Sequence, residues 1–425
     1  MAGTTVTMKM EIIAAETVRP SSRTPPRLQN LKLSLLDQNA PPVYFAFILF
    51  YAAEPDYIDV AGRSNRLKES LSETLTRFYP VAGRIKDHRS VDCNDEGVRY
   101  LEARVSCRVR DVLSNPEHET VKRLIPEEPT SELGGAPLLL VQANFFAGGG
   151  MALGVLTWHK IADGTSLCAF INAWASTALG FPDTAVPNFT AASSRFPPRD
   201  QPPATLSEVV KFKQPEEKFT VKRFVFEASK IAALKAKAAG TRVQSVTALL
   251  WKCALTAARS RRRKPLPRPS ALIGAVNIRP RLVPPLSQYS FGNVLGLLLA
   301  LADAEETNQL RSLVRCLSKG IEESTCGDRA MKLEMLQKVK NGDGDTYVYG
   351  CWCGLPVYGA GDFGWGKPSW AQVGVFTAAN AIVLMDTRDG DAIEARVSLV
   401  PQEMALFECD PELLAFACAK PNPTC

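Results

Sequence analysis

The stretch that decides the fold is LTWHKIADGTSL, residues 156–167. It ends a nearly continuous apolar run, GMALGVLTW (150–158), of β length and of the kind found in strands buried on both faces. Period-two counting places His159 on the strand face that carries Met151, Leu153, Val155 and Thr157. Beyond Asp163 the period changes. GTSLCAFINAWASTALG (164–180) puts Leu167, Phe170, Ile171, Trp174 and Ala178 on one helical face, and Gly180 marks the end. The reading is strand, turn, helix, with His159 where a buried strand runs out and Asp163 at the helix entrance. Strand ends that face a crevice are common places for chemistry in α/β proteins.

His159 is one of three histidines in the chain. It can be a hydrogen-bonded core residue, a metal ligand or a catalytic base. Asp163 stands where an N-cap would accept orphan helix N–H groups. The zinc-protease pattern needs two histidines on a helix, and here the second position is an aspartate on a strand-to-turn segment. No metal is expected. No G-x-S-x-G elbow presents a serine nucleophile, and none of the eleven cysteines stands out as one. A histidine acting alone on a hydroxyl or amine remains, and that chemistry needs an acyl donor that is already activated.

Composition sets the class. Apolar residues make up 46% and charged residues 22% of the 425, ordinary for a globular protein with a large core. The net charge of +6 is too mild to argue for nucleic acid and suits a polyanionic small molecule. The cysteines are scattered and form no C-x-x-C, as in reduced thiols of a cytoplasmic protein. The N-terminus lacks an apolar core of signal-peptide length. The longest apolar stretch, YFAFILFYAA (44–53), is half of the ~20 residues that span a bilayer, so no membrane association is expected.

Residues 181–203 contain six prolines and no apolar periodicity, dividing the chain almost in half. We expect a first domain over 1–180, a proline-rich crossover over 181–213 and a second domain over 214–425. Helices and strands alternate in both halves. NRLKESLSETLTRFYP (65–80) spaces Leu67, Leu71, Leu75 and Phe78 helically until Pro80 stops it. ASKIAALKAKAAG (228–240) should end at Gly240, and VQSVTALLWKCALTAA (243–258) is apolar enough for burial. PVYFAFILFY, VRYLEARVSCRV, KFTVKRFVFE and LIGAVNI read as strands, and AIVLMDTRDGDAIEARVSL (381–399) as a hairpin.

GAGDFGWGKPS (359–369) matches several short motifs without their context. Gly359, Gly361 and Gly364 fit a dinucleotide fingerprint, but no helix pattern follows. Pro368 replaces the hydroxyl residue of a phosphate-binding loop. A tight glycine-permitted turn is the simpler reading. The basic run RSRRRKPLPRP (259–269) reads as a solvated loop after a helix, with no interleaved aromatics to stack bases.

Taken together, HKIADG and DFGWGKP, about 200 residues apart, resemble the HxxxD and DFGWG motifs of the plant BAHD acyltransferases. RPSSRTP, LSLLDQ, LTRFYPVAGRI, SVDCNDEGV, VNIRPRL, QYSFGN and LMDTRDGDAIEA extend the resemblance over nearly the whole chain, closest to the alkaloid-acylating branch. The resemblance implies two similar α/β domains of the chloramphenicol acetyltransferase type, with mixed sheets flanked by helices and an active-site channel between them. It implies a monomer that takes acyl-CoA, in the branch mostly acetyl-CoA, as co-substrate, with no tightly bound cofactor and a small-molecule alcohol as acceptor. His159 would be the general base. Asp163 would pair with an arginine, Arg279 of NIRPR, and hold the loop that orients His159. Asp362 enters as a catalytic candidate by analogy, although a glycine-flanked turn favours a structural role. Gly164, Gly364, Trp365 and Gly366 would support the site, and Asn293 of QYSFGN would lie near the CoA channel.

Two departures stand out. Trp158 takes the place of a small serine, on the strand face opposite His159, where it should act on packing or a channel wall. VYGAGDFGWG is one residue longer than the usual spacing. Within this reading an amine acceptor, giving an amide, is the alternative chemistry. A non-catalytic binding or regulatory protein on the same fold is the alternative class.

Overall fold

A computed structural model describes residues 8–53, 59–129, 135–181, 186–201, 218–262, 266–325, 329–342, 344–359, 361–374 and 378–419. In chain order its strands are β1 (Met10–Val18), β2 (Asn30–Lys32), β3 (Tyr44–Tyr51), β4 (Arg84–Asp87), β5 (Ser90–Asp92), β6 (Val98–Val105), β7 (Leu139–Phe146) and β8 (Met151–Trp158). The second half adds β9 (Thr220–Phe226), β10 (Ser270–Asn277), β11 (Leu295–Ala302), β12 (Asp345–Cys351), β13 (Trp370–Val373), β14 (Ala381–Asp386), β15 (Ile393–Leu399) and β16 (Cys418–Ala419). They build a six-stranded sheet in the order β1-β6-β7-β8-β3-β13, a seven-stranded sheet β11-β10-β12-β14-β15-β9-β16, and a small sheet β2-β5-β4. Both large sheets are mixed: β6 runs parallel to β7, and β12 runs parallel to β10 and β14. The expected hairpin over 381–399 is β14 antiparallel to β15.

β8 sits in the middle of the first sheet because its sequence is apolar on both sides, and Met151 through Thr157 are all buried. On one face the helices Val60–Arg77 and Gly164–Ala178 pack over it, bringing Leu67, Leu71, Leu75, Phe170 and Trp174 against Phe47, Leu49 and Val155. The indole of Trp174 donates to the Leu67 carbonyl and to Ser70 Oγ, fixing the two helices to each other. The opposite face buries Ile48, Phe50, Ala152 and Trp370 in a separate cluster. The second sheet is covered by the helices Ala228–Ala238, Arg242–Ser260 and Leu310–Glu322, whose Leu234, Leu250, Trp251 and Leu313 are fully buried.

The two halves interlock. β13 follows DFGWG in sequence yet pairs antiparallel with β3 at the edge of the first sheet, Val373 facing Phe47. Within the expected crossover, 186–201 forms the short helix Ala191–Arg195 and bridges Asn188 to Ser290; 182–185 and 202–213 lie outside the described residues.

Two expectations are corrected. The helix Ala228–Ala238 ends in a left-handed residue, but that residue is Ala239, with φ of 57°, and not Gly240. The basic run is not simply solvated: Arg259 donates to Asn308 and Thr307, Arg261 pairs with Glu403, and Arg262 pairs with Asp345 at the start of β12. Residues 263–265 of that run lie outside the described residues. The nine described cysteines are all free thiols, and none of the described helices is long and apolar enough to cross a membrane.

Candidate active site

β8 ends at Trp158, and the turn that follows presents His159, whose backbone N–H donates to the Val43 carbonyl just before β3. The imidazole lies 4.8 Å from the Phe45 ring, measured between centroids. Trp352, directly after β12, closes the aromatic wall by packing on Phe45 and Phe47. It comes from the second half of the chain, and so does the group that holds the imidazole.

That group is Asn293, buried to 1% exposure. Its Nδ2 donates to the His159 carbonyl at 2.7 Å and to Asp37 Oδ1 at 3.0 Å. Both partners are pure acceptors, which orients the amide: Oδ1 must be the atom 3.1 Å from His159 Nδ1. Only a protonated Nδ1 completes that contact. The network therefore selects the tautomer whose Nε2 carries the lone pair. Among the described residues Nε2 has no hydrogen-bond partner, and His159 as a whole is half-buried. Burial, the largest cause, lowers the His159 pKa below that of an ordinary histidine, so the ring is neutral at physiological pH. The arrangement can accept a proton at Nε2.

Asn293 was expected beside the CoA channel. Its side chain is engaged by His159 and Asp37. Asp37 was missed altogether. It sits at the third position of the short helix Leu35–Asn39, in a capping box with Ser34. One oxygen accepts from the Ser34 N–H and hydroxyl, the other from the Asn293 N–H and amide. All four partners are donors, which suits a carboxylate, although burial raises its pKa. The signal was present locally, since Ser34-Leu-Leu-Asp37 is a capping-box pattern. Nothing local points to Asn293.

Asp163 does two jobs. As N-cap of the helix Gly164–Ala178 it accepts from the Ser166 N–H at 2.9 Å. It also meets Arg279 in a two-pronged pair, 2.6 Å and 3.2 Å, with both side chains at most 1% exposed. It further accepts from the Val294 N–H at 3.0 Å, one residue past Asn293. The remaining Arg279 donors go to the Ser290 and Gly292 carbonyls and to Ser166 Oγ, so the guanidinium is fully used. The pair clamps the loop 290–294 against the start of the helix and thereby sets where Asn293 stands under His159. Gly164 lets Trp352 approach: a Cβ there would meet the indole at 3.1 Å.

Asp362 is not brought to the imidazole. Its carboxylate accepts from the Gly364 and Gly366 N–H groups at 3.0 Å and 3.1 Å, closing its own turn. The turn is anchored by Tyr51, whose hydroxyl donates to the Gly361 carbonyl. Gly361 and Gly364 have φ of 94° and 103°, and a Cβ on Gly361 would fall 2.7 Å from Leu49 Cδ1. Trp365 stacks on Phe363, with the Arg63 guanidinium 5.5 Å from the centre of its ring. DFGWG thus seats the connection into β13. Trp158 packs edge-on against Tyr44 and walls a cavity of about 110 Å3 with Ile85, Glu128 and Leu138, away from the proton-transfer atoms.

Comparison with known proteins bears on the family and the fold. A family model described as the Transferase family matches residues 8–414. Vinorine synthase of Rauvolfia serpentina is 38% identical over 413 residues, 94% of this chain and 96% of its own. Stemmadenine O-acetyltransferase of Catharanthus roseus is 37% identical, over 95% of this chain and 97% of its own. A limonoid 21-O-acetyltransferase of Melia azedarach is 35% identical, over 98% of this chain and all of its own. The crystal structure of vinorine synthase superposes with a TM-score of 0.84, covering 97% of this chain and 100% of that one.

Proposed function

The chain belongs to the Transferase family of BAHD acyltransferases, and on that premise we propose how its site works and on what. It is an acyl-CoA-dependent O-acyltransferase of specialised metabolism. Acetyl-CoA is the donor we favour, and the acceptor is a hydroxyl of an alkaloid or terpenoid alcohol, in keeping with what the relatives are named for.

The observation that carries the mechanism is the Asp37–Asn293–His159 relay, which holds Nδ1 as donor and Nε2 as base. Donor and acceptor meet at His159 in a ternary complex. The acceptor O–H gives its proton to Nε2 while its oxygen attacks the thioester carbonyl, forming a tetrahedral oxyanion. Collapse breaks the C–S bond, and the imidazolium returns the proton to the departing CoA thiolate. No acyl-enzyme is formed. General base catalysis of this type contributes ~10²–10⁴-fold, and the neutral imidazole is ready for it without prior deprotonation. Asp163 and Arg279 position the loops, and Asp362, through its turn, acts at a distance.

We place the enzyme in the cytoplasm as a monomer, a reading supported by the free thiols of its nine described cysteines and by a site whose parts all come from one chain. We take the halves 1–180 and 214–425 as its two acyltransferase domains, with β13 reaching back from the second. Incubating the protein with acetyl-CoA and a metabolite extract of its source, and finding the mass that gains an acetyl group, tests the activity and names the acceptor.

A further inference from the structure

The segments that hold His159 also line a second cavity. Asn293, held by Asp37, faces the imidazole, while Leu36 and Asn39 from the helix of Asp37, and Leu295 at the start of β11, border a hollow of about 390 Å3. Its other walls include Arg199, Ser324, Arg329 and Lys332. Three cations therefore share one concave surface, and no carboxylate stands among its described lining residues.

Arg329 is the anomaly. Its Nη2 makes only a long hydrogen bond to the Asn39 carbonyl, 3.4 Å, and its Nε is buried without a partner among the described residues. Burial lowers its pKa, and among the described residues no opposing charge offsets that effect. A guanidinium partly withdrawn from water with no counter-charge beside it is better placed with an anion to meet it. Lys332, at 6% exposure, points its ammonium to the Leu297 and Glu323 carbonyls beside it. Arg199 stands exposed at the rim, its backbone gripped by Gln38, which accepts from its N–H and donates to its carbonyl, both at 2.9 Å. Asn39 adds a buried Oδ1 with no donor. The hollow thus offers a planar two-pronged donor, further positive charge and one acceptor.

We propose that this cavity binds an oxyanion, a phosphate or carboxylate, with Arg329 as its main contact and Asn39 Oδ1 receiving a neighbouring hydroxyl or N–H of the same molecule. Guanidinium matches both anions in a bidentate fork. Two molecules can bring that group to a hollow bordering the His159 support: the phosphates of CoA, or a carboxylate on the acceptor. That the bound molecule is a substrate rests on the acyl-transfer reading; the binding of the anion does not.

The test uses the full chain and requires no turnover. Thermal melts and calorimetric titrations are run with inorganic phosphate, malonate, CoA and dephospho-CoA on the wild type, Arg329→Met and Arg329→Lys. The wild type should gain thermal stability with phosphate or malonate. Arg329→Met, which removes an uncompensated charge, should melt no lower than the wild type without ligand and should lose the anion response at least tenfold. Arg329→Lys should recover part of it. A matching loss of CoA affinity assigns the oxyanion to CoA, while unchanged CoA affinity with a lost malonate response assigns it to the acceptor. A wild type indifferent to every anion, an Arg329→Met protein that binds them all as well, or one that melts lower without ligand, would overturn the proposal.

Discussion

At the scale of single residues, the site depends on which nitrogen of His159 bears the proton. Asn293→Ala frees the ring to adopt the other tautomer, which is inactive as a base at Nε2. The expected result is a loss of about 10²–10³ in kcat with little change in KM for the acyl donor, measured by steady-state kinetics. The charge state has its own signature. The folded-state pKa of His159 lies below the unfolded value near 6.5. The site is therefore already basic at pH 6.5, and the acid limb of kcat/KM should fall below that pH. By linkage the same shift contributes stability that is full above 6.5 and is lost as pH falls through the folded pKa. A melt series from pH 8 to 5 should show a downward trend that is reduced in His159→Gln. Sequence alone exposed His159 and Asp163, because a change of period flanks them. It offered Asp37 only as half of a capping box with Ser34, and could not expose its pairing with Asn293, 256 positions away.

At the scale of elements, strand β8, its turn and the helix Gly164–Ala178 were legible because burial on both faces, a cap and a 3.6 period are all local signals. The clamp on that unit was legible only through family likeness: Arg279 lies in a 3-10 turn, Arg279–Arg281, with nothing in its own spacing to announce a partner. Removing one member of a buried pair strands the other, so Asp163→Asn should lower unfolding stability by about 3–5 kcal/mol in denaturant titrations. Arg279→Lys should not rescue, since an ammonium cannot reproduce the fork or serve Ser290 and Gly292 as well. The turn of DFGWG behaves as a seat for β13. Gly361→Ala, forced into φ of 94° against Leu49, should cost about 1–3 kcal/mol in the same titration and reduce activity no further than the loss of folded protein explains.

At the scale of the whole molecule, a division into halves was visible in the prolines of the crossover, but the interlocking was not. β13 is short, and its place beside β3 depends on pairing across more than 300 residues of chain, which no local pattern encodes. With β13 stitched into the first sheet and the Asp163–Arg279 pair buried between the halves, the two cores should unfold together. Far-ultraviolet circular dichroism and tryptophan fluorescence should give coincident urea transitions, whereas separated midpoints would mean independent domains. The site is the product of that interlocking: the first half supplies His159 and Asp37, the second supplies Asn293, Arg279 and Trp352. The central claim is that His159 is the base of a direct acyl transfer. The most direct measurement is transfer of labelled acetyl from acetyl-CoA to the acceptor found in the source extract, comparing wild type with folded His159→Ala. The account predicts loss of turnover by at least about 10²-fold with CoA binding intact. Transfer by His159→Ala at the wild-type rate would contradict it.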